Sequence, residues 1–184
     1  MSLINTHQPE IGGLSHTESD ALISILQHRL SSLIDLHLTL KHVHWNVVGP
    51  NFIGVHEMLD PQTATVRGFA DVLAERIATL GGSPSGTSAG ITKNRDWDDY
   101  DLGRDTVQAH LAALDLVYTG VVKSHRDAIA KAGMIDPITE DVLIGQTREL
   151  EQFQWFLRAH LEDRSGELAH AGSHTELGAA DAAR

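Results

Sequence analysis

Apolar positions recur along most of the chain with a helical period. Leu22, Ile23, Leu26, Leu30, Leu33, Ile34 and Leu40 fall at spacings of one, three, four and six, one broad stripe of a 3.6-residue helix. This helix is predicted to start near Thr17, with Thr17 and Asp20 as a capping-box-like pair, and to stop at Gly49-Pro50-Asn51. A second helix is predicted from about Gly54 to Leu80, closed by Gly81-Gly82. Pro61 lies inside it, but Val55 and Met58 on one side and Val66, Phe69, Val72 and Leu73 on the other keep the stripe going. The helix is therefore expected to run through the proline and lose one backbone hydrogen bond. A crossover rich in Gly, Ser and Pro spans 81–101 and carries the acidic run Asp96-Trp97-Asp98-Asp99-Tyr100-Asp101. A third helix is predicted over about 103–132. Asp136-Pro137 then reads as an N-cap followed by proline at the first helical position, opening a fourth helix that ends near Asp163. No segment alternates with the strand period, and no internal repeat is visible.

Four long helices joined by one long crossover describe an all-α, ferritin-like four-helix bundle. A short helix is expected inside the crossover between helices 2 and 3. The chain divides into an N-terminal tail (1–16), the bundle (17–163) and a C-terminal tail (164–184) rich in Ala, Gly and His, whose end is expected to be disordered.

The 184 residues suit one domain, and a hydrophobic fraction of 41% supports a real core. No apolar run is long enough for a bilayer, and Met1 to Gly13 has neither Lys, Arg nor an apolar h-region, so no membrane or secretory role is expected. The absence of cysteine excludes thiolate metal sites and fits a cytoplasmic protein. A formal net charge of −11 disfavours nucleic acid and anionic membranes and attracts cations. Twelve His add the commonest side-chain donor for transition metals.

The second helix carries the constellation that matters. His56 and Asp60 are four residues apart, as are Asp71 and Glu75. At 100° per residue, Asp71 lies about 60° and Glu75 about 100° round from His56, so all four share one arc. One His and three carboxylates suit a hard-to-borderline cation such as Fe(II). The pairs are centred about 22 Å apart at 1.5 Å rise per residue, too far for one ion. If the helix packs antiparallel on its own copy about a two-fold axis, each His-Asp pair meets the partner's Asp-Glu pair, giving two sites per dimer. His44, near the end of the first helix, offers a further imidazole.

The run His44-Trp45-Asn46-Val47-Val48-Gly49-Pro50-Asn51-Phe52-Ile53-Gly54-Val55-His56-Glu57-Met58-Leu59-Asp60 resembles the signature of the Dps family, the dodecameric mini-ferritins. The likeness continues through Asp71-Val72-Leu73-Ala74-Glu75-Arg76, Leu80-Gly81-Gly82 and Phe153-Gln154-Trp155-Phe156, covers roughly residues 20–163, and looks actinobacterial. The resemblance implies a cytoplasmic shell of twelve subunits, built from dimers, that oxidises Fe(II) at dimer interfaces, preferring hydrogen peroxide to oxygen, and stores ferric mineral inside. It implies that His44, His56 and Asp60 of one chain act with Asp71 and Glu75 of its partner. It adds a role for Trp45, and less firmly Trp155, in absorbing oxidising equivalents. Zn or another divalent ion in place of iron is open to the same ligands, because affinity order alone favours Zn.

Each residue also has a plainer reading. Asp71 and Glu75 fit a solvated face paired with Arg67 and Arg76. Lys41, one turn before His44, is balanced between a surface lysine and a partner for Asp60 that fills part of a second metal position. Trp45 fits a core or interface anchor. Asp136 and Asp141 could line an acidic entry pore, but Asp136 is already explained as a cap. His37, His110, His125 and His160 read as surface or hydrogen-bonded residues. Glu167 and His170 have Glu-x-x-His spacing without a second copy. A haem-binding bacterioferritin is disfavoured, since Met58 and Met134 are the only internal methionines.

DNA is the other partner the resemblance implies, through basic tails, and a nucleoid-associated shell with secondary ferroxidation is the alternative function. Here residues 1–19 carry Glu10 and Glu18 and no Lys or Arg, and 165–184 set Glu167, Glu176 and Asp181 against Arg184. Cationic contacts drive phosphate binding, so weak or absent DNA binding is expected at neutral pH. The tail histidines His7, His16, His170 and His174 could alter this in acid.

Overall fold

The computed structural model describes residues 13–184 apart from Asp96. Helix α1 (His16–Asn46) begins with a capping box in which Ser15 Oγ accepts from the Glu18 amide and Glu18 Oε2 accepts from the Ser15 amide at 2.8 Å. This pair, and not Thr17 with Asp20, opens the helix. A Glu three residues past the cap has one methylene more than Asp and reaches back to the cap amide.

The chain leaves α1 through a two-residue strand, β1 (Val47–Val48), turns at Gly49 (φ 97°) and Asn51 (φ 64°), and enters α2 (Phe52–Thr79). Both turn residues are left-handed, a conformation open to Gly and tolerated by Asn. Helix α2 runs unbroken through Pro61, whose side is exposed to solvent. The crossover contains α3 (Ser88–Asn94), capped by Thr87. It returns through β2 (Asp105–Thr106), which pairs in parallel with β1 in the register Val47 to Asp105 and Val48 to Thr106. Strand-period reading could not find strands of two residues. The bridge and the Thr106 cap also delay α4 (Val107–Ala132) beyond the predicted start at 103. Helix α5 (Pro137–Ala159) is opened by Asp136 as predicted, and it ends four residues before Asp163.

The four long helices pack around fully buried Leu22, Leu33, Leu40, Leu59, Leu73, Leu111, Leu143 and Leu157. Inside this core Tyr118 donates its hydroxyl to Gln62 Oε1 at 2.8 Å, satisfying both oxygens.

The C-terminal segment is not loose. It forms α6 (Glu176–Ala183), which lays Ala180 against Leu102 of the crossover and Ala109 and Ala113 at the start of α4, with Ala179 also fully buried. Alanines on both surfaces let the helices approach closely, a feature that composition alone reads as low complexity. A polar clasp completes the docking. His170 Nε2 lies 3.0 Å from Asp115 Oδ2, while Asp115 Oδ1 accepts from Arg158 Nε at 2.7 Å and Gln154 Nε2 at 2.8 Å. His170 and Asp115 are each 3% exposed.

His125, in the C-terminal half of α4, is fully buried with Nδ1 3.1 Å from the Val121 carbonyl. Burial pushes its imidazole down to about 4, with the Arg29 charge acting in the same direction. The neutral form is thus the folded form. The sign follows: stability is full above the unfolded value near 6.5 and is lost as pH falls through 4. A His125→Gln chain is expected to have a flatter melting temperature between pH 6.5 and 4 than wild type, checked by thermal scans across that range.

Candidate metal centre

The β1 turn folds the end of α1 back on the start of α2, and this alone brings His44 next to His56 and Asp60. The two imidazoles stack with centroids 3.6 Å apart and planes 29° from parallel. His56 Nδ1 lies 2.9 Å from the His44 carbonyl oxygen. A carbonyl can only accept, so Nδ1 carries the proton and Nε2 keeps its lone pair free for a cation. His44 is 8% exposed, and its Nε2 lies 3.0 Å from Asp60 Oδ1 without the alignment of a hydrogen bond. It is a buried polar atom lacking a proper partner.

Lys41 belongs to this cluster. Its ammonium donates to Asp60 Oδ1 at 3.1 Å and to His44 Nδ1 at 3.2 Å, and sits 5.8 Å from the Trp45 ring centroid. The hydrogen bond from Lys41 holds the Asp60 carboxyl below its ordinary value, with His44 adding to the effect. The surface-lysine reading of Lys41 therefore fails, and its pairing with Asp60 is found. Trp45 is 71% exposed, so it is no core anchor in a single chain.

Asp71 and Glu75 lie farther along α2, both exposed, and the structure does not bring them to the histidines. Neither carboxylate forms an ion pair or hydrogen bond among the described residues. The plainer reading fails for Arg76, whose guanidinium is committed to Asp136 Oδ2 at 2.6 Å and Thr139 Oγ1 at 3.1 Å. Asp71 lines a groove of about 540 Å³ between α1, α2 and the start of the crossover, floored by small residues including Ala64 and Gly68. Among the described residues, no three His, Asp or Glu side chains of one chain form a closed metal cage. One chain thus carries two separate groups of these side chains, one where the end of α1 meets the start of α2 and one farther along α2.

Asp136 is accounted for as a cap: it accepts from the amides of Ile138 and Thr139, the Thr139 hydroxyl and Arg76. Burial raises its carboxyl, and these donors outweigh burial and hold it below the ordinary range. His170 is sequestered against Asp115, so it is removed from the tail histidines free to meet DNA. His7 lies outside the described residues. Reading along the sequence also missed the Asp115–His170 pair, since 55 positions separate the two and no periodicity links them.

Comparison with known proteins decides the kinship. A ferritin-like domain family matches residues 23–165. The DNA protection during starvation protein of Mycolicibacterium smegmatis is 62% identical over 174 residues, covering 95% of each chain. The solved structure of Mycobacterium smegmatis Dps superposes with a TM-score of 0.91 at 59% identity, over 92% of this chain and 97% of that one. The chain belongs to the Dps family. DpsA14 from Streptomyces coelicolor superposes with a TM-score of 0.86 at 59% identity, over 87% of this chain and 95% of that one. These relatives agree with an actinobacterial Dps, and the likeness spans the bundle and the crossover helix. Among the described residues no helix is long and apolar enough to cross a membrane.

Proposed function

We propose that this Dps-family chain stores iron and detoxifies it, oxidising Fe(II) at sites shared between two subunits, with hydrogen peroxide as the preferred oxidant. The observation that carries the reading is the split donor set: an oriented His44–His56–Asp60 cluster at one end of α2 and the unpaired Asp71 and Glu75 toward the other. An antiparallel pairing of α2 about a two-fold axis joins each half-set to its complement. Small residues at Ala64 and Gly68, beside the expected axis, permit that close approach. Dimers then assemble into a twelve-subunit shell.

Iron is the substrate here, and Zn or another divalent ion competes for the same donors. His56, with Nδ1–H held by the His44 carbonyl, presents Nε2. Asp60 supplies a carboxylate kept ionised by Lys41, and the partner's Asp71 and Glu75 add oxygen donors. Lys41 occupies space next to Asp60 that a second cation would need, so entry of a second iron displaces its ammonium. Two Fe(II) each lose one electron, and peroxide takes both as its O–O bond breaks, leaving as two waters after uptake of two protons. Delivering the electrons as a pair avoids the one-electron cleavage that makes hydroxyl radical. Trp45, beside Lys41 and solvent-exposed, is placed to absorb a stray oxidising equivalent.

The test loads the purified assembly with Fe(II) under anaerobic conditions, adds a peroxide pulse and follows near-ultraviolet ferric absorbance. Oxidation well above the protein-free rate, with ferric iron retained on gel filtration, is expected. A rate equal to buffer would sink the ferroxidase reading and leave a redox-silent metal site or a structural shell.

The alternative, a nucleoid-associated shell in which DNA binding dominates, is weakened by charge. At −11 per chain, a dodecamer carries about −130. The one arginine of residues 165–184 is itself paired with Asp105 and Asp181. We expect no band shift with linear duplex at neutral pH and physiological salt. Compaction under those conditions would restore the alternative.

A further inference from the structure

A cavity of about 180 Å³ lies between α1 and α4, away from the metal cluster. The crossover roofs it with Trp97 and Tyr100, and the first turn of α6 closes one end with Glu176. Its α1 wall is Ser32, Asp35, Leu36 and Thr39, successive positions on one helix face, and its α4 wall is apolar at Val117 and Val121 and polar at Ser124.

The hydroxyls of that wall are not tied back to their own helix. Ser31, Thr63, Thr119 and Thr147 each return their hydroxyl to the carbonyl four residues back, the ordinary way to satisfy a mid-helix Ser or Thr. Ser32 and Thr39 are 4% and 8% exposed, line the cavity, and make no such bond. The little surface these two side chains keep faces the cavity, so their hydroxyls are free to bond to an occupant in place of water.

The charge around the cavity selects the occupant. Asp35, Asp98 and Glu176 line it, and no Lys, Arg or His does. Asp35 is engaged: Trp97 Nε1 donates to its Oδ2 at 2.6 Å, and Arg95 lies 3.6 Å from its Oδ1. Asp98 and Glu176 have no hydrogen bond or ion pair among the described residues. Two uncommitted carboxylates, two acceptor hydroxyls and two aromatic side chains next to an aliphatic wall form a receptor for a cation with an apolar body.

We propose that this cavity binds a small primary ammonium ion, its –NH₃⁺ toward Glu176, Asp98 and the Ser32 and Thr39 hydroxyls and its apolar body among Leu36, Trp97 and Val121. The volume corresponds to about six waters at ~30 Å³ each, which fits a single-ring amine and excludes large cofactors. Because Glu176 belongs to α6, occupancy is coupled to docking of the C-terminal segment, and each favours the other by linkage.

The experiment titrates the intact assembly with benzylammonium, and with benzyl alcohol and benzoate as neutral and anionic counterparts, by calorimetry at neutral pH. Saturable binding of the amine alone is expected, near one per chain, together with slower amide hydrogen exchange in residues 176–183. Glu176→Gln and Thr39→Val are each expected to weaken it about tenfold, the usual result of losing one hydrogen bond to a charged group. Both changes keep side-chain size, and circular dichroism and gel filtration confirm that the assembly is intact. Ser32→Leu, which fills the space, is expected to abolish binding. The proposal is overturned by any of three results: no saturable binding into the tens of millimolar, equal uptake of the alcohol, or amine binding that none of the three variants alters. The last result would mean that the amine condenses on the acidic surface.

Discussion

Two inactive variants of this chain, mixed, are expected to restore part of each other's activity. One variant carries His44→Ala and His56→Ala, and the other Asp71→Asn and Glu75→Gln. Alone, each should oxidise Fe(II) no faster than buffer after a peroxide pulse. Removing direct donors costs at least the roughly 10- to 100-fold that loss of an outer-sphere partner costs in metal affinity. After co-refolding at equal concentrations, half of the dimers hold one chain of each kind. In these, one of the two shared sites takes its histidines and its carboxylates from the unaltered halves, and the other is doubly damaged. About one quarter of wild-type sites should therefore work, following from isologous pairing alone. A site complete within one chain predicts no recovery at any ratio. The result separates intersubunit from intrachain chemistry without any knowledge of the iron geometry, and stopped-flow absorbance on the mixtures reads it directly.

The second large effect is expected at Asp115→Ala. The Asp115 carboxylate receives Arg158 and Gln154 on one oxygen and faces His170 on the other, with both members of the Asp115–His170 pair almost wholly enclosed. Its removal strands a buried imidazole and an amide and leaves Arg158 without its carboxylate. Breaking a buried pair from one side costs about 3–5 kcal/mol, because the remaining group is left uncompensated. The cost can be met locally, since α6 is held otherwise by a small alanine contact and by the Arg184 pair with Asp105. The expected outcome is release of residues 165–184, seen as lost amide protection there while the four long helices keep theirs. Uniform loss of protection across the bundle would instead make Asp115 a keystone of the core. Fe(II) oxidation should survive tail release, because none of the proposed donors contacts the tail.

The bundle was legible because each long helix carries an uninterrupted apolar stripe, and such a stripe has only one efficient way to be buried. The Asp136-Pro137 start and the Gly81-Gly82 stop were readable because caps act over a few residues. The first helix start was misread between two overlapping cap patterns, a choice that turns on one methylene of Glu18. Strands β1 and β2 were invisible, since two residues define no period and each pairs with a partner more than fifty positions away. The tail was misjudged for the same reason: its composition is small and polar, and the contacts that order it lie on α4.

The sequence by itself determined which donors exist and that His56, Asp60, Asp71 and Glu75 share one arc of α2, because helix geometry converts spacing into direction without reference to anything else. It also determined the acidic charge. Only the tertiary structure decided that His44 stacks on His56, that the His44 carbonyl selects the His56 tautomer, that Lys41 holds Asp60, and that Asp115 anchors the C-terminal segment. Those are contacts between elements whose relative placement comes from turns, bridges and packing of the whole chain, and no local rule contains them.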